Sequence, residues 1–176
     1  IGFVDITDPE SPVGLGTVQT TGEPTSVAVA GKYVLAGVNT SAGNYVSPSG
    51  HLAVYELAAC LADIAACAPV STLDMEGQPD SVAVSPDGKY AAVVVENERD
   101  EEVTVDGVEG GLPQLPAGFL KIVDIKGAPV RWGVRPVDLT GLAAYGIDDP
   151  EPEYVSINKS NHAAVTLQEN NHIAIV

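Results

Sequence analysis

Basic residues are scarce in this chain: 8 Lys and Arg stand against 24 Asp and Glu, a formal net charge of −16. Binding to nucleic acid or to an anionic membrane surface needs basic patches, so this balance argues against both as partners. It favours cations as partners, or plain solubility in a salty medium. Long apolar runs are also missing, and no stretch approaches the roughly 20 residues of a membrane span. The sequence holds no G-x-S-x-G elbow; Ser47-Pro48-Ser49-Gly50-His51 only superficially suggests one. It holds no H-E-x-x-H, P-loop or EF-hand pattern either. Of the three histidines, His51 and His172 occupy the same position of a repeat described below, which points to a structural role. The two cysteines, Cys60 and Cys67, have no His or further Cys nearby and make a poor metal site. They are either a disulfide closing a short Ala-rich loop, as an extracellular chain would have, or two free thiols.

What the chain has in quantity is Val, Ala and Gly in a repeating pattern. Gln78–Val95 reads QPDSVAVSPDGKYAAVVV. Ser81–Val84 alternates with the period of a strand. Ser85-Pro86-Asp87-Gly88 then breaks it, because Pro86 presets φ and Gly88 accepts φ > 0. Tyr90–Val95 is a continuous apolar run suited to a strand buried on both faces. Gly22–Val29 repeats Gly77–Val84, and Pro152–Ile157 is a third, weaker copy. Second strands follow at Tyr33–Val38, Tyr90–Val95 and Ala163–Gln168. Third strands follow at Leu52–Leu57, Leu120–Ile125 and Ile173–Val176, with Gly2–Ile6 as a further copy. Fourth strands are expected to open at Pro12-Val13, Pro69-Val70 and Pro129-Val130. Four strands per unit of about 40–50 residues, longer with insertions, is the signature of a β-propeller blade; the alternative is a β-sandwich of short strands.

The fold class read from this pattern is all-β, a partial propeller of four-stranded antiparallel blades. It divides into residues 1–22 (the last two strands of a blade), 23–76 (a blade), 77–142 (a blade) and 143–176 (three strands of a blade). Three blade-equivalents do not close a ring, so the chain reads as part of a larger propeller. Its open edges point to a homo-oligomer, most simply a two-fold dimer.

The acid is not evenly spread. In an up-and-down blade, the loops entering the first strand and leaving the second lie at one end of the disc. Those loops carry Glu23, Asp80, Glu96, Glu98, Asp100, Glu101, Glu102, Asp148, Asp149, Glu151, Glu153 and Glu169. Turns at the other end, such as Pro86–Lys89 and Lys159–Asn161, carry lysines and little acid. Crowded carboxylates repel, and a divalent cation relieves the repulsion. Oxygen ligands without Cys/His clusters favour Ca²⁺ over Zn²⁺. The candidate ligands are Asp80, Glu96, Glu98, Asp100, Glu153 and Glu169, with Asp80–Glu96 and Glu153–Glu169 as the leading pairs. A solvated acidic rim without metal is the alternative.

GQPDSVAVSPDGKYAAVVVENERDEE, LPQLPAGFLKIVDI and DPEPEYVSINKSNHAAVTLQENNHIAIV resemble the family known as "esterase-like activity of phytase". These are secreted bacterial propellers. The resemblance implies an extracytoplasmic location (secreted, periplasmic or cell-surface), which favours the Cys60–Cys67 disulfide. It also implies phosphoesterase activity on a phosphate-ester small molecule, with Ca²⁺ held by acidic loops, but it identifies no catalytic residue here. The second reading is a non-catalytic extracellular binding or surface propeller.

Overall fold

The structure, a computed structural model, describes all 176 residues. The chain forms fifteen strands, one short helix and one 3₁₀ turn. β1 (Gly2–Asp5) and β2 (Val13–Thr17) pair as a two-stranded sheet. The first complete blade runs β3 (Glu23–Ala30), β4 (Tyr33–Asn39), β5 (Gly50–Glu56) and β6 (Ser71–Asp74), in that spatial order. Helix α1 (Leu57–Ala62) sits between β5 and β6. The second blade is β7 (Gln78–Val84), β8 (Tyr90–Glu96), β11 (Phe119–Asp124) and β12 (Gly133–Val137). Its long insertion forms a small ribbon, β9 (Thr104–Val105) with β10 (Val108–Glu109). β13 (Pro152–Ile157), β14 (Ala163–Leu167) and β15 (His172–Ile175) make a three-stranded sheet. Strand pairing is antiparallel throughout. The architecture is the partial propeller that the repeat implies.

The core consists of blade-to-blade interfaces. β8 shows why its sequence lacks alternation. Ala91, Val93 and Val95 face the first blade, with Leu35, Leu52, Val54 and Met75. Ala92 and Val94 face the third sheet, with Val155, Val165 and Leu167. A strand between two blades has no solvent face, so every position is apolar. A third cluster packs β4 and β5 against Val18 and Phe3.

Three local readings change. Pro129-Val130 does not open a strand: Pro129–Arg131 is a 3₁₀ turn, and the strand begins at Gly133. Proline at the first positions of a helical turn leaves no donor unpaired, whereas a ladder strand needs its N–H groups. Val13–Thr20 reads in sequence as one outer strand, but β2 ends at Thr17. Ala58–Ala68 reads in sequence as helical, with Leu61 and Ile64 three apart, but the helix covers only Leu57–Ala62, and Cys67 beyond it is joined to Cys60 in a disulfide.

Glycine sets the blade spacing at two equivalent places. Gly50 and Gly118 each lie against the proline of the next blade's inner strand, Pro79 and Pro152 respectively. A Cβ on Gly118 would stand 2.5 Å from Pro152 Cδ and 2.6 Å from the Pro150 carbonyl oxygen. No side chain fits there without moving a blade.

Candidate metal centre

Each inner strand carries a β-bulge at the same repeat position. Pairing skips from Pro24 to Ser26, from Pro79 to Ser81 and from Pro152 to Tyr154. The extra residues are therefore Thr25, Asp80 and Glu153. A bulge re-aims the side chain of its extra residue, and here it turns all three into a single cleft at one end of the disc.

That cleft has a volume of about 780 Å³, and nine of its 17 lining residues are Asp or Glu. They are Glu23, Asp80, Glu96, Glu98, Glu101, Glu109, Glu151, Glu153 and Glu169, with Arg99 as the one basic side chain. Oxygens of Asp80, Glu96 and Glu153 lie within 4.8 Å of one another. Two oxygens on opposite sides of one Ca²⁺ stand about 5 Å apart, twice the usual ligand distance of about 2.4 Å. No Lys or Arg forms an ion pair with any of the three. Burial, and then the neighbouring Glu153, raise the Asp80 carboxyl to about 6. Burial, then Glu153 and Asp80, push Glu96 well above the usual carboxylate range. The charged forms are thus costly while no cation is shared among them.

Behind the triad lies a buried polar layer that the sequence pattern did not single out. Glu151 is 1 % exposed, and its Oε1 has no hydrogen-bond partner. Burial raises its carboxyl strongly; Arg99 opposes that shift, and Glu96 and Asp149 add to it. Arg99 Nε stands 3.4 Å from Glu151 and 3.6 Å from the fully buried Asp149. Gln114 ties the insertion down: its backbone N–H donates to Asp149 (2.9 Å), and its side-chain amide donates to the Asp100 carbonyl. Asn170 accepts from the Glu151 N–H (2.8 Å) and donates to the carbonyls of Tyr145, Gly146 and Asp149. These residues hold the acidic loops rather than stud them. In the sequence Asp149 and Glu151 are hidden inside an acidic run and Gln114 in a Leu-Pro stretch, and only the isolated Arg99 and the paired Asn170-Asn171 stand out.

The other sequence candidates divide. Glu98 is exposed and lines the cleft, where its charge contributes to raising Glu96. Glu169 also lines the cleft but is not in the converging group; Glu153 instead meets Asp80 and Glu96 across the blade boundary. Asp100 does not line the cleft, and its Oδ1 accepts from the Glu102 N–H (2.9 Å). No histidine, serine or cysteine lines the cleft.

Strand order, bulges and acidic cleft together define an all-β, propeller-type module with an open carboxylate basin. The chain matches the choice-of-anchor I domain over residues 1–176 and belongs to that family. That match lends no support to the likeness with the phytase-associated esterases. Among solved structures it is similar to hydrazine synthase of Kuenenia stuttgartiensis, at 17 % identity and a TM-score of 0.58. The alignment covers 85 % of this chain and 38 % of that one, and at this identity the likeness is one of fold alone. No curated protein matches the chain. No helix is long and apolar enough to cross a membrane.

Proposed function

We propose that this chain is part of an extracytoplasmic, non-catalytic surface propeller whose acidic cleft binds Ca²⁺. The observation that carries the reading is the convergence of Asp80, Glu96 and Glu153 within 4.8 Å, with no basic partner. The buried Glu151 beside them adds a fourth carboxylate to this end of the cleft; its Oε1 accepts no hydrogen bond and faces Arg99 Nε at 3.4 Å. Hard carboxylate oxygens suit Ca²⁺, and the open cleft leaves room for the waters that complete six to eight ligands. The disulfide fits an oxidising compartment, and membership of the choice-of-anchor I family supports a surface module.

The phosphoesterase reading has less behind it. The cleft offers no Ser, Cys or His to act as nucleophile or base. Its carboxylates repel a phosphate ester unless cations outnumber them. Calorimetry of the chelator-treated chain with CaCl₂ tests the binding, and saturable heat is the expected result. Turnover of p-nitrophenyl phosphate that depends on Ca²⁺ and disappears in Glu96→Gln would instead establish the esterase.

A further inference from the structure

The repeat allows one blade junction to be compared with the next. At the first junction the bulge residue of β3 is Thr25, and the last residue of β4 is Asn39. Thr25 Oγ1 crosses to the next blade and donates to the Pro79 carbonyl at 2.6 Å. That junction is closed by a short neutral hydrogen bond. At the second junction the equivalent positions are Asp80 and Glu96, and the next blade adds Glu153. None of these three side chains donates across as Thr25 does; three carboxylates meet instead. The lower bond of the junction is repeated in both places. Ser26 Oγ accepts from the Val82 N–H at 3.0 Å, and Ser81 Oγ accepts from the Val155 N–H at 3.4 Å. At the second junction like charges face each other where the first has the Thr25 bond, although the Gly118 and Gln114 N–H groups and Arg99 cross to the third sheet nearby.

From this we infer that the cation in the acidic cleft is an inter-blade staple, shared between β7–β8 on one side and β13 on the other, which takes the place of the Thr25 hydrogen bond. The inference rests on the cation reading above and adds what the ion does. Asp80 and Glu96 belong to one blade and Glu153 to the next, so an ion bound by all three cannot be held unless the blades are together. Arg99 already crosses this junction to Asp149 and Glu151, behind the triad, and pairs with none of the three triad carboxylates.

Hydrogen exchange of the full chain, read by mass spectrometry with CaCl₂ or with chelator, tests the staple, and calorimetry runs in parallel. Ca²⁺ is expected to slow exchange on both sides of the second junction, in Gln78–Val84 and in Pro152–Ile157, and to leave Glu23–Ala30 unchanged. Glu153→Gln should weaken Ca²⁺ binding by about tenfold or more, as removal of one of three charged ligands does. Asp80→Thr, which copies the first junction, should give the slowed exchange without Ca²⁺ and no further response to it. Heat of binding with protection confined to the second blade, or with Glu153→Gln binding as tightly as the parent, overturns the staple and leaves the cation reading standing. Absence of heat overturns both. If Asp80→Thr does not fold, the Glu153→Gln affinity and the exchange pattern of the parent chain decide the matter.

Discussion

Asp87 gathers three donors at the turn between β7 and β8: the Ser85 hydroxyl (2.7 Å), the Lys89 N–H (3.1 Å) and, from the neighbouring sheet, the Asn161 amide (3.1 Å). These bonds favour the carboxylate and lower its pKa far below the ordinary value. A lowered folded-state pKa stabilises the fold above the unfolded value of about 3.9, and the contribution is lost as pH falls toward the folded value. Asp87→Ala should therefore melt below the parent at pH 7 and pH 5 alike, with the gap shrinking below about pH 4. Thermal melts across that range check it, and a gap that widens in acid would contradict the assignment. Glu96 behaves in the opposite sense, since its charge is disfavoured by burial and by Glu153 and Asp80. In chelator at pH 7, Glu96→Gln should stabilise the chain by about 1–3 kcal/mol while weakening the response to Ca²⁺ by about tenfold or more. Urea unfolding with and without Ca²⁺ measures both effects. At this scale the sequence is partly legible. Acidic segregation marks Asp80, Glu96 and Glu153, but nothing local distinguishes the cross-blade meeting with Glu153 from an in-blade pair with Glu169. Glu151 was not singled out because burial, not charge, makes it unusual.

Strands were legible wherever both faces are buried or faces alternate, as in β7 and β8, and turns wherever Pro, Asp and Gly fall together, as in Ser85–Gly88. The fourth strands were less so, because outer strands alternate weakly and Pro-Val pairs suit a 3₁₀ turn as well as a strand start. The bulges left no propensity signal; only the recurring proline before Thr25, Asp80 and Glu153 hints at them. Proline is tolerated there because a bulge or a strand's first residue spares the ladder bond. Two elements make measurable claims. Gly118→Ala should destabilise by about 1–3 kcal/mol, since its Cβ meets backbone and a proline ring that cannot yield separately. Gly14→Ala, where a Cβ meets nothing within 4 Å, is the control and should be nearly neutral by chemical denaturation. The Cys60–Cys67 bond closes a loop of separation seven against the end of α1. Unreduced protein should show no alkylatable thiol by intact mass, and reduction should cost about 2–3 kcal/mol of stability.

At the scale of the molecule, the interfaces are unequal. Those within the described blades are closed by apolar clusters, but the flanks are open. β1 and β2 pack on β4, β5 and the Ala-rich segment, and they leave the inner strand β3 uncovered on that side. Val27 and Val29 of β3 are consequently 60 % exposed. On the other flank, β15 carries Ile173 and Ile175, exposed by 61 % and 71 %, on a strand with one unpaired edge. In the blades' interior the equivalents of Val27 and Val29 in β7 are better covered: Val82 is 8 % exposed and Val84 is half-buried. The difference measures what a neighbouring blade supplies. Apolar inner-strand surface of this kind binds a further blade or a second copy of the chain. The 176-residue chain alone should therefore associate, most simply as a two-fold dimer. Light scattering at micromolar concentration should give twice the 18.1 kDa chain mass. Val29→Lys places a charge on the uncovered face of β3 without touching a core cluster, so it should return the mass to that of one chain while leaving the circular dichroism spectrum intact. A parent chain that is already monomeric at that concentration would show the flanks to be tolerated by water as they stand.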